Sequence, residues 1–213
     1  MLANKFQAKL LELFDQNFNS EFTINQISKK INFDYAYANR EINKLIRKGI
    51  INKKTVGNSY LCSLNLNNDE TKSLIFDYET RKKSGFYKKY KVLKAYFLDF
   101  LNKAKKEHIH SLVIFGSYAK NAETSRSDLD ILIMLENRNQ SDQIHKLINN
   151  VFKLSTLEIN PIIIGRKDFI DMLINKVELN IGKEALKHHI ILYGIERFWE
   201  FVMGAEHREQ SNV

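Results

Sequence analysis

A single cysteine, Cys62, and a single proline, Pro161, stand in a chain of 213 residues. One thiol cannot close a disulfide within the chain, nor can it build a cysteine-based zinc site there. Cys62 is therefore expected to be buried and inert. No apolar stretch approaches the roughly 20 residues that a membrane-spanning helix needs, which excludes a membrane protein of that kind. No secretory leader is expected either. The first residues, MLANKFQAKLLELF, carry an amphipathic pattern interrupted by charges, where a leader has an uninterrupted apolar block and a small-residue cleavage site. The chain is expected to stay in the cytoplasm. No internal repeat is visible. With 44% hydrophobic and 27% charged residues the composition is that of a soluble globular protein, long enough for one large or two small domains with a real core.

The formal net charge is +8, but it is unevenly spread. Residues 1–66 hold 10 Lys and Arg against 5 Asp and Glu, residues 67–106 hold 11 against 5, and the remainder 12 against 15. A basic N-terminal half suits a polyanionic partner such as DNA or RNA, because phosphate neutralisation drives sequence-independent affinity. A lysine-rich surface that serves solubility is the other reading. Abundant Lys and Asn with one proline also fit a compositional bias of the genome.

Hydrophobic spacing organises the first third. Phe6, Leu10, Leu13 and Phe14 recur at helical intervals. Thr23 can cap a second short helix in which Ile24, Ile27 and Ile31 form one stripe. Asp34 opens a third, with Ala38, Ile42, Leu45 and Ile46 inward, and Gly49 stands where a helix end needs a left-handed residue. Two β-prone runs follow, around the turn signal Gly57-Asn58. Three helices and a hairpin make residues 1–66 a winged helix-turn-helix domain. In that fold the third helix enters the major groove. Tyr37, Asn39, Arg40, Asn43, Lys44 and Arg47, with Tyr35 beside them, lie off its apolar stripe and are the candidate nucleic-acid contacts. Asn and Arg suit base edges, while Lys44, Lys48, Lys53 and Lys54 suit phosphates. Winged helices also serve as protein-docking modules.

NNDE, residues 67–70, reads as a break. Residues 67–106 then form a helical connector packing on the second domain, its aromatics Tyr87, Tyr90, Tyr96, Phe97 and Phe100 on a core face and its lysines in solvent. Residues 107–203 alternate strands with helices: HIHSLVIFG, DLDILIML and LEINPIIIG as strands, QIHKLINNVFKL and KDFIDMLINK as helices, then a short strand and a helix in ALKHHIILYGIERFWEFV. Such alternation implies an α/β (α+β) layer with a small mixed sheet. Residues 204–213 read as a frayed tail. His108 and His110 share one strand face, a spacing that can bind metal, but no third ligand accompanies them.

The chemistry concentrates in GSYAKNAETSRSDLDILI, residues 116 to 133. Asp128 and Asp130, two apart on a strand, project together while Leu129 and Ile131 face the core. Two like charges so close repel, and a cation such as Mg²⁺, which takes one or two carboxylates plus substrate phosphates, fits between them. Upstream, Gly116 lets backbone come close to a bound group, and the Ser117 hydroxyl with nearby main-chain N–H groups can hold phosphate oxygens. Lys120, Arg126 and Ser127 surround the motif and are further candidates to meet phosphate, or members of a solvated loop. A phosphate holder beside a metal holder makes a nucleoside triphosphate site.

This stretch resembles the signature of the polymerase β-like nucleotidyltransferase superfamily: Gly-Ser, a short spacer, and Asp-x-Asp at a strand start. The specific likeness is to the minimal nucleotidyltransferases of bacteria and archaea, and the element order over roughly residues 85–200 agrees with it. The resemblance implies three carboxylates binding two divalent ions, Mg²⁺ or Mn²⁺, with an NTP as substrate. Asp128 and Asp130 would be two of the three; the candidate third acid, from a later strand, is Glu158, which would share a face with Asn160. Asn121 stands where minimal members commonly carry glycine, and asparagine tolerates the left-handed region better than most residues. The expectation is a metal-dependent nucleotidyltransferase that moves a nucleoside monophosphate onto an acceptor hydroxyl, joined to a DNA-binding winged helix. The alternative is a DNA-binding regulator or antitoxin-like protein whose transferase-like domain does not turn over. The resemblance also allows a protein partner or a homodimer; no membrane partner is expected.

Overall fold

The computed structural model describes residues 4–15, 17–57, 59–104, 109–136, 138–175 and 180–211, with side chains described up to 205. Among the described residues no helix is long and apolar enough to cross a membrane. Two compact units divide the chain, Met1–Tyr78 and Glu79–Val213.

The first unit contains α1 (Lys5–Asp15), α2 (Ile24–Lys30), α3 (Tyr35–Arg47), β1 (Ile51–Val56) and β2 (Ser59–Leu64). Local chemistry sets the boundaries. Thr23 and Gln26 form a reciprocal capping box at the start of α2, and the Asp34 carboxylate accepts from Tyr37 N to open α3. Gly49, at φ +71°, lets the chain leave α3. The strands β1 and β2 pair antiparallel, and Phe22 bridges to Cys62 beside them. Phe6, Phe14, Ile27, Ala38, Ile42 and Cys62 fill the core. Burial pushes the Cys62 thiol pKa up, in keeping with an inert role.

The helix α4 (Asp69–Lys89) begins at the expected break, yet the units part inside it, twelve residues beyond the boundary drawn at 66/67. Its opening turns belong to the first unit for a physical reason: Thr71 Oγ1 donates to Ile50 O at 3.3 Å, and Leu74 and Ile75 are buried.

In the second unit, α5 (Lys91–Lys103), β3 (Ile109–Ile114), α6 (Gly116–Ala119), β4 (Leu129–Leu135), α7 (Ser141–Val151), β5 (Ile159–Gly165), α8 (Arg166–Ile174), α9 (Ile181–Lys187), β6 (Ile190–Tyr193) and α10 (Ile195–Ser211) follow in order. The sheet has the order β5-β4-β3-β6, with β4 parallel to β5 and β3 antiparallel to both its neighbours. This is a mixed α/β unit with a small mixed sheet. Leu129, Ile131, Ile133 and Leu135 face one core with Phe97, Phe100, Ile144, Ile148 and Phe152 of the α5–α7 region. By strand alternation the even positions Leu132 and Met134 point the other way, and both are fully buried. A strand covered on both faces reads as a continuous apolar run, as β4 does from Ile131 onward.

Two expectations are corrected here. The short helix α9, whose Asn180 cap accepts from Lys183 N at 3.0 Å, has no counterpart among the elements expected between KDFIDMLINK and β6. The tail read from residue 204 is instead a continuation of α10 to Ser211, with Ala205 buried, since nothing after Gly204 breaks a helix.

Candidate functional site

At the N-terminal end of β4 the apolar run stops and acid begins. Asp130 is half-buried and Asp128, one residue before the strand, is exposed. Alternation puts both on the face that continues into Leu132 and Met134, so they occupy the open end of an otherwise covered surface. The neighbouring strand approaches closely: Phe115 N donates to Asp130 O at 3.1 Å, and the chain then turns at Gly116 with φ +69° into α6. A Cβ built on Gly116 would lie 2.2 Å from Asp130 Oδ2. Glycine is therefore required twice, by its backbone angle and by the carboxylate beside it.

On the other side, β5 runs parallel to β4 with Asp130 opposite Asn160. Asn160 Nδ2 donates to Asp130 Oδ1 at 2.9 Å. Leu129 N donates to Glu158 O at 2.9 Å, which places Glu158 beside Asp128 at the ladder's end, exposed like it. Asp128, Asp130 and Glu158 thus gather at one end of the β4–β5 pair, but their oxygens do not all lie within 4.8 Å of one another. Carboxylates alone are hard donors of the kind Mg²⁺ and Mn²⁺ take, and the missing side chain at Gly116 is what lets the Asp130 carboxylate lie against that turn. The donor set fits a divalent cation held together with phosphate oxygens.

The loop from α6 to β4 is braced within itself and from outside. Asn121 adopts the left-handed conformation, φ +51°. Ser117 O accepts from Ala122 N at 3.0 Å, while its side chain is half-buried. Ser127 Oγ accepts from Thr124 N at 2.9 Å and meets Thr124 Oγ1 at 3.2 Å, so this hydroxyl helps shape the turn that delivers Asp128. Arg126 is exposed, and Lys120 Nζ reaches Glu184 Oε1 at 3.0 Å.

Glu123, which sequence reasoning passed over, anchors the loop. Its carboxylate takes Lys89 Nζ at 2.6 Å and a short hydrogen bond from the Tyr90 hydroxyl, whose ring packs against Tyr118. Hydrogen bonds from Lys89 and then Tyr90 hold the Glu123 pKa down at about 2, against an ordinary 4.5. Because the folded value is the lower one, this clamp stabilises the fold fully above pH 4.5 and is lost as pH falls toward 2. Glu123→Gln is accordingly expected to lower stability at neutral pH, with the gap from native narrowing through that window. Urea unfolding of both proteins at a series of pH values measures it, and a gap independent of pH would refute the clamp.

Among the described residues His110 belongs to no group of three potential metal ligands. His108 lies outside the described residues, and His110, half-buried, meets Glu136 at 2.5 Å and lies edge-on to Phe201. It sits at the start of β3, the end of that strand remote from Gly116.

In the first unit, α3 sorts the candidate contacts. Arg40, Lys44 and Arg47 are exposed, although Lys44 pairs with Glu41 at 2.7 Å and Arg40 lies 3.6 Å from the same carboxylate. The Lys44 hydrogen bond leads in holding Glu41 below its ordinary pKa. Tyr37 is half-buried: its ring stacks on Phe33 at 5.5 Å and meets Phe6 edge-on at 5.8 Å, with the Arg40 guanidinium 5.1 Å above it. Asn39 and Asn43 are half-buried and bonded to each other, Nδ2 of Asn43 donating to Asn39 Oδ1 at 2.9 Å. Lys48 reaches Glu70 at 3.3 Å. On the hairpin Lys53 and Lys54 are exposed, and Lys53 Nζ stands 3.6 Å over Tyr60, an aromatic that the sequence reading missed because it precedes no helical stripe.

Two comparisons with known proteins give matches, and the one with stated bounds falls in the second unit. Over 119 residues the chain is 27% identical to a protein of Methanocaldococcus jannaschii named "Putative protein adenylyltransferase", an overlap of 52% of this chain and 78% of that relative. No solved structure matches significantly. Residues 100–197 match the family model described as Polymerase beta, Nucleotidyltransferase. That span runs from α5 into α10 and encloses Gly116, Asp128, Asp130 and Glu158. The acid-bearing sheet of this chain therefore forms a nucleotidyltransferase-like domain that matches the polymerase beta family.

Proposed function

We propose that residues 79–213 transfer a nucleoside monophosphate from a nucleoside triphosphate to an acceptor hydroxyl. The observation that carries the reading is the pairing of Asp128 and Asp130 at the open end of β4, against the bare backbone of Gly116, inside the span that matches the family. Asp128, Asp130 and Glu158 hold Mg²⁺ or Mn²⁺. Once bound, such a cation neutralises triphosphate charge and favours attack by oxygen. Gly116 admits phosphate oxygens close to the main chain, and Ser117 offers its hydroxyl to them. The acceptor oxygen bonds to the α-phosphorus, its bridge to the β-phosphate breaks, pyrophosphate leaves with the electron pair, and the hydroxyl proton passes to solvent. The name of the archaeal relative favours ATP as donor and a protein hydroxyl as acceptor.

The test is a comparison of ATP labelled at the α- and at the γ-phosphate, each with Mg²⁺ and a lysate of the source cell. Label from the α position is expected on a protein band and none from the γ position, and Asp130→Asn is expected to erase it. Label from γ alone would make the protein a phosphoryl-transfer enzyme and refute the assignment.

We further infer that residues 1–66 are a winged helix-turn-helix that binds DNA through Arg40, Arg47 and the hairpin lysines Lys53 and Lys54. Support comes from the order of three helices and a hairpin and from the exposure of these cations. Each of Lys53→Ala and Lys54→Ala is expected to reduce by about 1 the slope of log affinity for duplex against log salt, while Arg40→Ala and Arg47→Ala are each expected to cost about 1–3 kcal/mol of binding and to relax the sequence preference. Unchanged affinity and sequence preference in both arginine variants would remove α3 from the interface. The regulator reading rests on the same cations, and duplex binding without any label transfer would select it.

A further inference from the structure

The residue that meets Asp130 across the β4–β5 ladder is an amide, Asn160. An ionised carboxylate only accepts, so the Asn160 side chain presents its N–H to Oδ1, at 2.9 Å. Oδ2, on the other side, lies against the Cα of Gly116, where a Cβ would come to 2.2 Å. Asp130 is thus held by the Asn160 amide of β5 on one side and bounded by the Gly116 backbone at the start of α6 on the other, and both groups are neutral. The neutrality matters. Lysine or arginine in place of Asn160 would orient the carboxylate equally well but cancel the charge that attracts a cation. An aspartate would set a second negative charge against the first and disfavour both being ionised. An amide donor fixes the carboxylate and leaves its charge intact.

We propose that Asn160 is a positioning residue, which holds the Asp130 carboxylate in a fixed rotation and so prepares the Asp128–Asp130 pair for a divalent cation. This rests on the nucleotidyltransferase reading above and adds to it a residue that is neither ligand nor base. A carboxylate already ordered by folding loses less freedom when a cation arrives, which raises affinity without any new ligand. Hydrogen-bond partners of metal-ligating side chains act in this way, and their loss typically weakens metal binding by about 10–100-fold.

The experiment uses the full chain without nucleotide and follows free Mn²⁺ by its electron paramagnetic resonance signal. Asn160→Leu keeps the shape of the side chain and removes the donor; Asn160→His restores a donor, because imidazole Nδ1 stands at the same bond separation from Cα as the amide nitrogen. Leucine is expected to weaken Mn²⁺ binding by about 10–100-fold and histidine by no more than about threefold. Neither should shift the melting temperature, since Asn160 is exposed. In label transfer, Asn160→Leu is expected to raise the Mn²⁺ concentration needed for half-maximal rate while leaving the rate at saturating Mn²⁺ near native. Should leucine disturb the strand and lower the melting temperature, Asn160→Ala, which removes the donor with no added bulk, takes its place with the same expected loss. Donor-lacking variants that bind within about twofold of native, or a histidine variant as weak as the leucine one, would overturn the proposal. If native protein holds no Mn²⁺ that Asp130→Asn removes, the nucleotidyltransferase reading itself fails; if it does and Asn160→Leu binds equally well, only the positioning role falls.

Discussion

Gly116→Ala is expected to abolish most nucleotidyl transfer while leaving the second unit folded. Two penalties meet at this residue. A φ of +69° places an L side chain in the left-handed region, at about 1–2 kcal/mol. The added Cβ would also lie 2.2 Å from Asp130 Oδ2, closer than any real contact, so the carboxylate must swing away. Swinging breaks the bond to Asn160 and takes Asp130 out of line with Asp128. A misplacement of about 1 Å at a reacting centre costs on the order of a hundredfold in rate, and at least that loss is expected here. Rate and melting temperature, measured on the same preparation, separate the two penalties. Combining Gly116→Ala with Asp130→Asn should add instability but little further loss of transfer, because both changes act through one carboxylate. Near-native transfer by Gly116→Ala would mean that Asp130 is not part of the chemistry.

Asp128→Asn and Asp130→Asn should each reduce transfer by on the order of a thousandfold or more, since charge stabilisation at a metal centre contributes several kcal/mol and 1.36 kcal/mol is a factor of ten. The double variant should be little worse than either single one, as members of one catalytic unit are not additive. Stability should move the other way. Two carboxylates on one strand face repel, so removing either charge is expected to leave the melting temperature unchanged or raised. Loss of transfer together with a lowered melting temperature would mark these residues as structural. Glu158 faces the same comparison from the neighbouring strand, and its exposure makes a stability loss in Glu158→Gln unexpected.

Much of this arrangement is written locally in the chain. Thr23 and Asp34 cap the helices they precede, Gly49 turns out of α3, and the aromatics of α5 face a core, because each depends on residues three or four positions away. Asp128 and Asp130 share a face for the same reason, strand alternation over two residues. What is not local was not legible. The bond from Asn160 to Asp130 joins residues 30 apart and exists only because β4 and β5 pair in one register. Likewise the anchor from Glu123 to Lys89 and Tyr90 spans more than 30 residues. Tyr37 falls off the stripe of Ala38, Ile42 and Leu45, yet Phe6 and Phe33 draw it into an aromatic cluster that helical spacing alone does not reveal. The division of the chain inside α4 is likewise not local: Thr71, Leu74 and Ile75 turn to the first unit while Phe86, on the same helix, joins the core of the second. The resemblance of residues 116 to 133 located the acids; the pairing of strands explains how they are held.

The most direct test of the account is a crystal of the protein grown with ATP and Mn²⁺, with the metal located by its anomalous scattering. The account predicts a Mn²⁺ peak at about 2.1 Å from carboxylate oxygens of both Asp128 and Asp130, with triphosphate oxygens completing the coordination beside Gly116 and Ser117. Nucleotide and metal bound elsewhere on the molecule, with both aspartates uncoordinated, would contradict it.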